Sequence, residues 1–385
     1  IIMTNFETII DFGTQNLKLS IFNVNNEILY SSKQQIINNS EKSLDTLIRD
    51  AEKYLSTHID NIIVLYDSSK FYSLDISIKK VFDQDMSIKS IYDNLIEEAH
   101  YLISQNNFRD QIVHLVVNNI IVDNNKKLEN IIEDIKIKSL ILEIKFICLS
   151  KILIKDINTK FKKYNLKISN LYCASYVKSN YHQKHLDTND FLIYIDIGFQ
   201  RTSSSIFHNG KFNYFKSLSI GGNNITKDIA NILKLDLNYS EELKIKFNKF
   251  ENNNDFNKNC TDKINPYSEI FEKNISIDLL KKIIEARIEE IIELVVLRSK
   301  FIKNLNYIRN AKLIIIGGGS ELLSNNYNLS VKKLVSKLIC FNENDTYGCE
   351  AGIDYHKSIE SSYTKEKKRI KKYGFFEYFF NLFSK

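Results

Sequence analysis

Residues 10–22 read IDFGTQNLKLSIF and residues 195–207 read IDIGFQRTSSSIF. Seven of the thirteen positions are identical without a gap, which two unrelated strand meanders would seldom share. An apolar run leads into each copy (ETII, FLIY). A turn-like NVNNE or HNGK follows, and then another short apolar run. This alternation predicts strand, tight turn, strand, turn, strand in each place. The chain is therefore expected to hold two related lobes that open with the same hairpin.

The hairpin suggests a chemistry. A glycine two residues after a strand aspartate lets the turn tighten with no Cβ in the way. Its N–H groups can then converge on a phosphate. Two such hairpins facing across a cleft would grip a phosphate tail from both sides, with Gly13, Thr14 and Gln15 in one turn and Gly198 in the other. Asp11 and Asp196 would hold a hydrated Mg²⁺ through waters. Lys18, on the second strand of the first hairpin, is placed to reach the phosphates. One copy alone reads as a common turn; the duplication makes phosphate binding the better reading.

Two further glycine signals follow. In AKLIIIGGGSELL (311–323) a buried strand runs through Gly317, Gly318 and Gly319 into a helix start, a place where backbone can approach a ligand. In LSIGGNNITKDIA (218–230), Gly221 and Gly222 precede a helix expected to be capped near Thr226. Either signal also fits a plain tight turn.

Composition bounds the rest. A chain of 385 residues exceeds one typical core, and 43% hydrophobic content excludes wholesale disorder. Cys148, Cys173, Cys260, Cys340 and Cys349 are scattered, with no CxxC pair to signal zinc or a disulfide framework. That fits a reducing cytoplasm. No signal peptide or apolar stretch of spanning length is evident, and the start Ile-Ile-Met suggests Met3 as the first residue. Of the net charge of +6, residues 365–385 carry +5. The body is nearly neutral, which argues against a nucleic-acid groove.

That basic end runs KEKKRIKK and then YGFFEYFFNLFSK. On a helix, Phe375, Phe376, Phe379, Phe380, Leu382 and Phe383 fall within one half, with polar residues opposite. The run is shorter than the about 20 apolar residues a span needs. Two readings fit, docking on the protein's own core or lying in a membrane interface. The adjacent Lys371 and Lys372 and the charge asymmetry favour anionic lipid. Partial burial of the phenylalanines, at roughly 1.5–3 kcal/mol for each fully buried side chain, gives a weak, reversible anchor. Polymerisation would strengthen it by effective concentration.

Taken in order, these elements resemble the actin-like ATPase superfamily and, within it, the FtsA family of bacterial cell-division proteins. The resemblance covers nearly the whole length. Asp11 to Lys18 look like the first phosphate motif, and 195–207 like the second. GGNNITKDIA, with Gly221, Gly222, Thr226 and Asp228, is similar to the family's GGxxIT-x-DIA segment. SEELK nominates Glu241 and Lys244 for the nucleoside. The helix at 284–295 carries Arg287 and Glu290, and Gly317–Gly319 look like the adenosine motif.

The resemblance implies an α/β, actin-like two-lobed fold of duplicated ribonuclease-H-like domains. The first lobe (1A) would comprise 1–79 and 151–190, with an inserted 1C subdomain at 80–150. The second lobe (2A/2B) would cover 191–355, followed by a basic flexible linker at 356–371 and an amphipathic membrane-targeting helix at 372–385. The implied cofactors are ATP and Mg²⁺. The implied partners are the C-terminal peptide of the tubulin-like FtsZ, further copies in a filament, later division proteins through 1C, and anionic lipid at the division site. Arg298, Lys300 and Lys303 are candidates for an acidic peptide, though each also reads as a solvated helix face. Where the family pattern is DIGGGTTD, this chain has Phe199, Gln200 and Arg201 in the turn and Ser203 further on. LYCAS (171–175) offers no carboxylate to orient a water. Nucleotide binding without efficient hydrolysis is the expectation. The alternatives are a pilus-assembly scaffold of the PilM type, a sugar or acetate kinase of the same superfold, and a degenerate scaffold whose cleft, altered at Phe199–Arg201, no longer binds nucleotide.

Overall fold

The computed structural model describes residues 6–36, 40–107, 109–123, 126–129, 131, 135–186, 190–252, 275–298, 302, 308–320 and 329–369. The first hairpin forms as its alternation predicts. β1 (Glu7–Phe12) and β2 (Asn16–Phe22) pair antiparallel, with Asp11 opposite Lys18. β3 (Ile28–Gln35) continues the meander. Helix α1 (Ser40–Leu55) then crosses to β4 (Asn61–Tyr66), parallel to β1. Leu44, Leu47, Ile48 and Ala51, at helical spacing, bury the inner face of α1.

The second lobe repeats this path. β10 (Phe191–Ile197), β11 (Thr202–His208) and β12 (Lys211–Leu218) form the meander, with Asp196 opposite Ser203. Helices α5 (Gly222–Leu233), α6 (Leu237–Asn252) and α7 (Ile277–Ile292) lead to β13 (Lys312–Ile316), which lies parallel to β10. β14 (Lys337–Cys340) adds beside β13. With β9 (Lys167–Cys173) beside β4, the two lobes share one strand order: β3-β2-β1-β4-β9 and β12-β11-β10-β13-β14. The sequence repeat is thus a repeat of topology. Parallel crossovers put the ends of β1, β4, β10 and β13 on the same rim, where open α/β sheets bind ligands.

Between β4 and β9 lies an insertion: β5 (Tyr72–Ser87), α2 (Ile88–Asn106), β6 (Asp110–Val122), β7 (Lys126–Leu128) and β8 (Lys136–Ser150). Ser87 caps α2, accepting the Ser90 N–H, and Ile88, Ile91, Leu95, Ala99 and Ile103 bury one face. The insertion starts earlier than position 80, because β5 pairs with β8 from Tyr72 opposite Cys148. Its strands are long, and it extends the other lobe's sheet: Lys216 of β12 pairs with Tyr72 of β5. The Asn118 side chain donates to the Phe212 carbonyl, and Lys211 to Asn119. The edge of β12 is thereby covered rather than left open to another chain.

α3 (Lys151–Lys162) leads into β9, and α4 (Ala174–Gln183) leaves it for the second lobe. The last described element, α8 (Tyr347–Arg369), corrects one expectation. Residues 356–369 continue a helix and are not a flexible linker. The tail with Lys371, Lys372 and the six apolar residues from Phe375 to Phe383 lies outside the described residues. Among those described, no helix is long and apolar enough to cross a membrane, and Cys148, Cys173, Cys340 and Cys349 are free.

Candidate functional site

A cavity of about 960 Å³ opens between the lobes at the strand rim. Asp11, Gly13, Thr14, Gln15 and Lys18 line one side. Asp196, Gly198, Gly222, Glu241, Lys244 and Gly317–Gly319 line the other. Gly221 lies behind it. A Cβ there would sit 2.5 Å from the Gly198 carbonyl oxygen and 2.8 Å from the Arg201 nitrogen, so this glycine lets α5 dock on the second hairpin turn. Gly13 permits the first turn, where a Cβ would meet the Asn16 carbonyl at 2.6 Å.

The second turn differs from the expected open phosphate cradle. Gly198 N–H donates to the Arg201 carbonyl (2.8 Å), while the N–H groups of Gly222 and Asn223 donate to the carbonyls of Gly198 and Phe199 (2.9 and 2.7 Å). These donors close the turn on the helix and are not offered to the cavity. The helix cap is Gly221, not Thr226; the Asn224 side chain accepts the Gly221 N–H at 3.0 Å. Thr226 sits one turn inside, and its hydroxyl donates to Glu241. Lys244 Nζ donates to the Gly222 carbonyl (3.1 Å), Thr226 Oγ1 (2.9 Å) and Glu241 Oε2 (2.6 Å), and lies 5.8 Å from the Phe199 ring centroid. Burial pulls the Lys244 pKa down, against the pull of Glu241. Arg287 does not reach the cavity; it forks onto Asp228 (2.5 and 2.8 Å) and ties α7 to α5.

In the third glycine run, Gly317 adopts φ +83°, and a Cβ on it would strike Asp196 Oδ1 at 2.2 Å. Its N–H donates to Glu343 Oε1 (2.8 Å). A Cβ on Gly319 would meet Ile197 Cγ2 at 2.3 Å, whereas Gly318 has nothing within 4 Å. Lys18 has an acidic neighbour, Asp345, at 3.6 Å; Lys33 approaches the same carboxylate at 2.9 Å. The hydrogen bond from Lys33 and the charge of Lys18 hold the Asp345 carboxyl below its usual range.

Three residues that sequence reasoning missed occupy the centre. Asp67, just past β4, accepts the Ser175 hydroxyl at 2.9 and 3.0 Å and pairs with Arg201. So the LYCAS stretch, which lacks a carboxylate itself, holds one borrowed from a neighbouring strand. Lys178 of α4, 5% exposed, reaches Asp196 Oδ2 at 2.9 Å and Glu343 Oε1 at 3.0 Å. Burial opposes the charge of Lys178, but Asp196, Glu343 and Asp11 outweigh it and raise its pKa. Burial raises the Glu343 pKa, with Lys178 opposing. Arg201 lies 3.4 Å from the same Asp196 oxygen; burial lowers its pKa to about 9, so it stays charged at neutral pH. The only signals for these residues were local: an aspartate ending an apolar strand, a lysine in a small-residue helix, and the acidic run FNEND.

The metal expectation does not fit this arrangement. Asp196 Oδ2 faces two cations, Lys178 and Arg201, at 2.9 and 3.4 Å. Asp11 has α8 against it; a Cβ on Gly348 would meet its Oδ2 at 2.6 Å. Among the described residues, no cluster of three or more metal-ligating side chains is present.

Residues 193–337 match the family model described as cell division protein FtsA. The match falls within the second lobe, which is thus similar to the FtsA family. A structure titled "PilM-PilN type IV pilus biogenesis complex" superposes at TM-score 0.57, with 13% identity over 90% of each chain. MreB 5 of Spiroplasma citri bound to AMPPNP follows at 0.48, with 13% identity over 94% of this chain and 99% of that one. The ethanolamine utilization protein EutJ from Carboxydothermus hydrogenoformans gives 0.46, with 10% identity over 91% and 89%. At 13% identity the first of these likenesses concerns the fold alone. No curated protein matches the sequence. In the second lobe, Arg298 closes a π-helical turn after α7 and pairs with Glu293 at 3.0 Å, already engaged on the surface. Lys300 and Lys303 lie outside the described residues.

Proposed function

We propose that this protein is an actin-like cell-division scaffold. It binds an adenine nucleotide such as ATP in the interlobe cleft, self-associates, and tethers FtsZ filaments to the cytoplasmic face of the membrane through its C-terminal tail. The observation that carries the reading is the FtsA match in the second lobe, on a chain whose end concentrates basic and aromatic residues. The course of α8 adds to it: this helix starts against Asp11 in the cleft and runs to Arg369, directly ahead of the tail. The nucleotide would sit with its phosphates near Gly13–Gln15 and Lys18, and its nucleoside near Glu241, Lys244 and Gly318. The cleft suits holding a nucleotide better than turning it over. The nearby carboxylate that could orient a water, Asp67, already accepts from Ser175 and Arg201.

Co-sedimentation with anionic liposomes tests the tether, comparing the full chain with one truncated after Lys372, with and without FtsZ C-terminal peptide. The expected result is salt-sensitive pelleting of the full chain alone, with peptide carried down beside it. A full chain that stays in the supernatant at every protein concentration overturns the tether. Pelleting without peptide favours a scaffold for another assembly, such as the pilus type.

A further inference from the structure

At the centre of the cleft, four segments far apart in sequence place two cations among buried carboxylates. Lys178 comes from α4 and Arg201 from the second hairpin turn, and both address Asp196 Oδ2, at 2.9 and 3.4 Å. Glu343 and Asp67 complete the cluster, each bound to one of the two cations. All five side chains are at most 12% exposed. Asp11 stands close enough to favour the charged form of both cations, adding to the rise at Lys178 and opposing the burial that lowers the Arg201 pKa. A divalent ion between Asp11 and Asp196 would have to sit against two positive charges that cannot move into water. Mg²⁺ also gives up its hydration shell reluctantly and demands near-octahedral oxygen ligands. Of the two Asp196 oxygens, Oδ2 is already held by Lys178 and Arg201.

We infer that Lys178 and Arg201 are built-in substitutes for the divalent metal, so the cleft binds a nucleoside polyphosphate without Mg²⁺. The inference rests on the nucleotide reading of the cleft proposed above. It assigns the two side chains the electrostatic part a metal would play, neutralising the aspartate and facing the phosphate charge. Phosphate then arrives beside a guanidinium and an ammonium already in position. The arrangement offers phosphate two cations that line the cavity, each also held by carboxylates, and no metal-activated water.

The test titrates a fluorescent ATP analogue into the full chain, once in excess EDTA and once in excess Mg²⁺. Metal and nucleotide coupling is reciprocal, and ordinary coupling is about 5–150-fold in affinity. The expected result is binding in both conditions, with dissociation constants within about threefold of each other. Affinity raised by Mg²⁺ about tenfold or more overturns the inference while leaving the nucleotide reading intact. No binding in either condition overturns the nucleotide reading itself. A second measurement needs no nucleotide: Mn²⁺ titrated into the protein and followed by electron paramagnetic resonance. Free-ion signal is expected throughout, and saturable loss of signal at one site per chain overturns the inference. The variant Arg201→Gly, checked for folding by circular dichroism, is expected to acquire Mg²⁺-dependence of nucleotide binding. A folded variant that binds equally with and without metal overturns the role given to Arg201.

Discussion

Lys178→Met isolates the physics of the buried cluster. The lysine is 5% exposed, and its ammonium lies 2.9 Å from Asp196 and 3.0 Å from Glu343. Methionine preserves the stem and removes the charge, leaving the buried carboxylates of Asp196, Glu343 and Asp67 with only Arg201 among them. Breaking one side of a buried ion pair typically costs about 3–5 kcal/mol. Glu343 can relieve part of this by taking up a proton, since burial already raises its pKa and Lys178 is what holds it down. In the variant its folded-state pKa rises further above the unfolded value. A carboxyl shifted in that direction binds more protons folded than unfolded, so stability falls as pH rises through the interval between the two values. The deficit relative to the parent protein should therefore be smallest near pH 4–5 and grow to about 3–5 kcal/mol by pH 7–8. Denaturant unfolding of both proteins across that range, read by circular dichroism and by tyrosine fluorescence with coincident transitions, measures it. Adding Glu343→Gln should recover part of the loss and flatten its pH dependence, a coupling of at least about 0.5 kcal/mol in a double-mutant cycle. A deficit under about 1 kcal/mol at all pH values, the size of an exposed pair, would refute the reasoning.

Two further outcomes follow from the same structure. Gly317→Ala should lower stability by about 2 kcal/mol or more, because φ is +83° and the new Cβ would strike Asp196 Oδ1, while Gly318→Ala should stay within about 0.5 kcal/mol in thermal melts. His114, buried between β6, β9 and α8, accepts the Cys173 N–H at Nε2 and faces the Tyr355 hydroxyl at 2.8 Å through Nδ1. Burial drives its pKa down to about 3. A histidine kept neutral in the fold binds fewer protons folded than unfolded, so stability is lost as pH falls below the unfolded value of about 6.5, by up to about 1.4 kcal/mol per pH unit. His114→Gln should flatten that part of the acid limb in denaturant titrations at pH 5 and 7, whatever its effect at neutral pH.

The repeat at 10–22 and 195–207, the strand–glycine–helix runs and the apolar helix faces are local patterns, and they determined the lobes, the cleft and most of its rim. Period and turn chemistry act over a few residues, so they can be read along the chain. The centre of the cleft has no such signature. Asp67, Lys178, Glu343 and the hairpin with Asp196 and Arg201 are four separate segments, and nothing near Lys178 in sequence shows that its charge will be buried against two acids. The same holds for the insertion: its sequence shows strands and a helix, but only the docking of β5 on β12 assigns its sheet to the other lobe. Residues 356–369 carry enough charge to read as a linker, yet they extend a helix whose earlier turns pack on β1 and β4. Local sequence set which elements form, because backbone and side-chain preferences are short-range. Tertiary structure decided which charges neutralise one another, because burial and pairing depend on residues that meet only after the chain has folded.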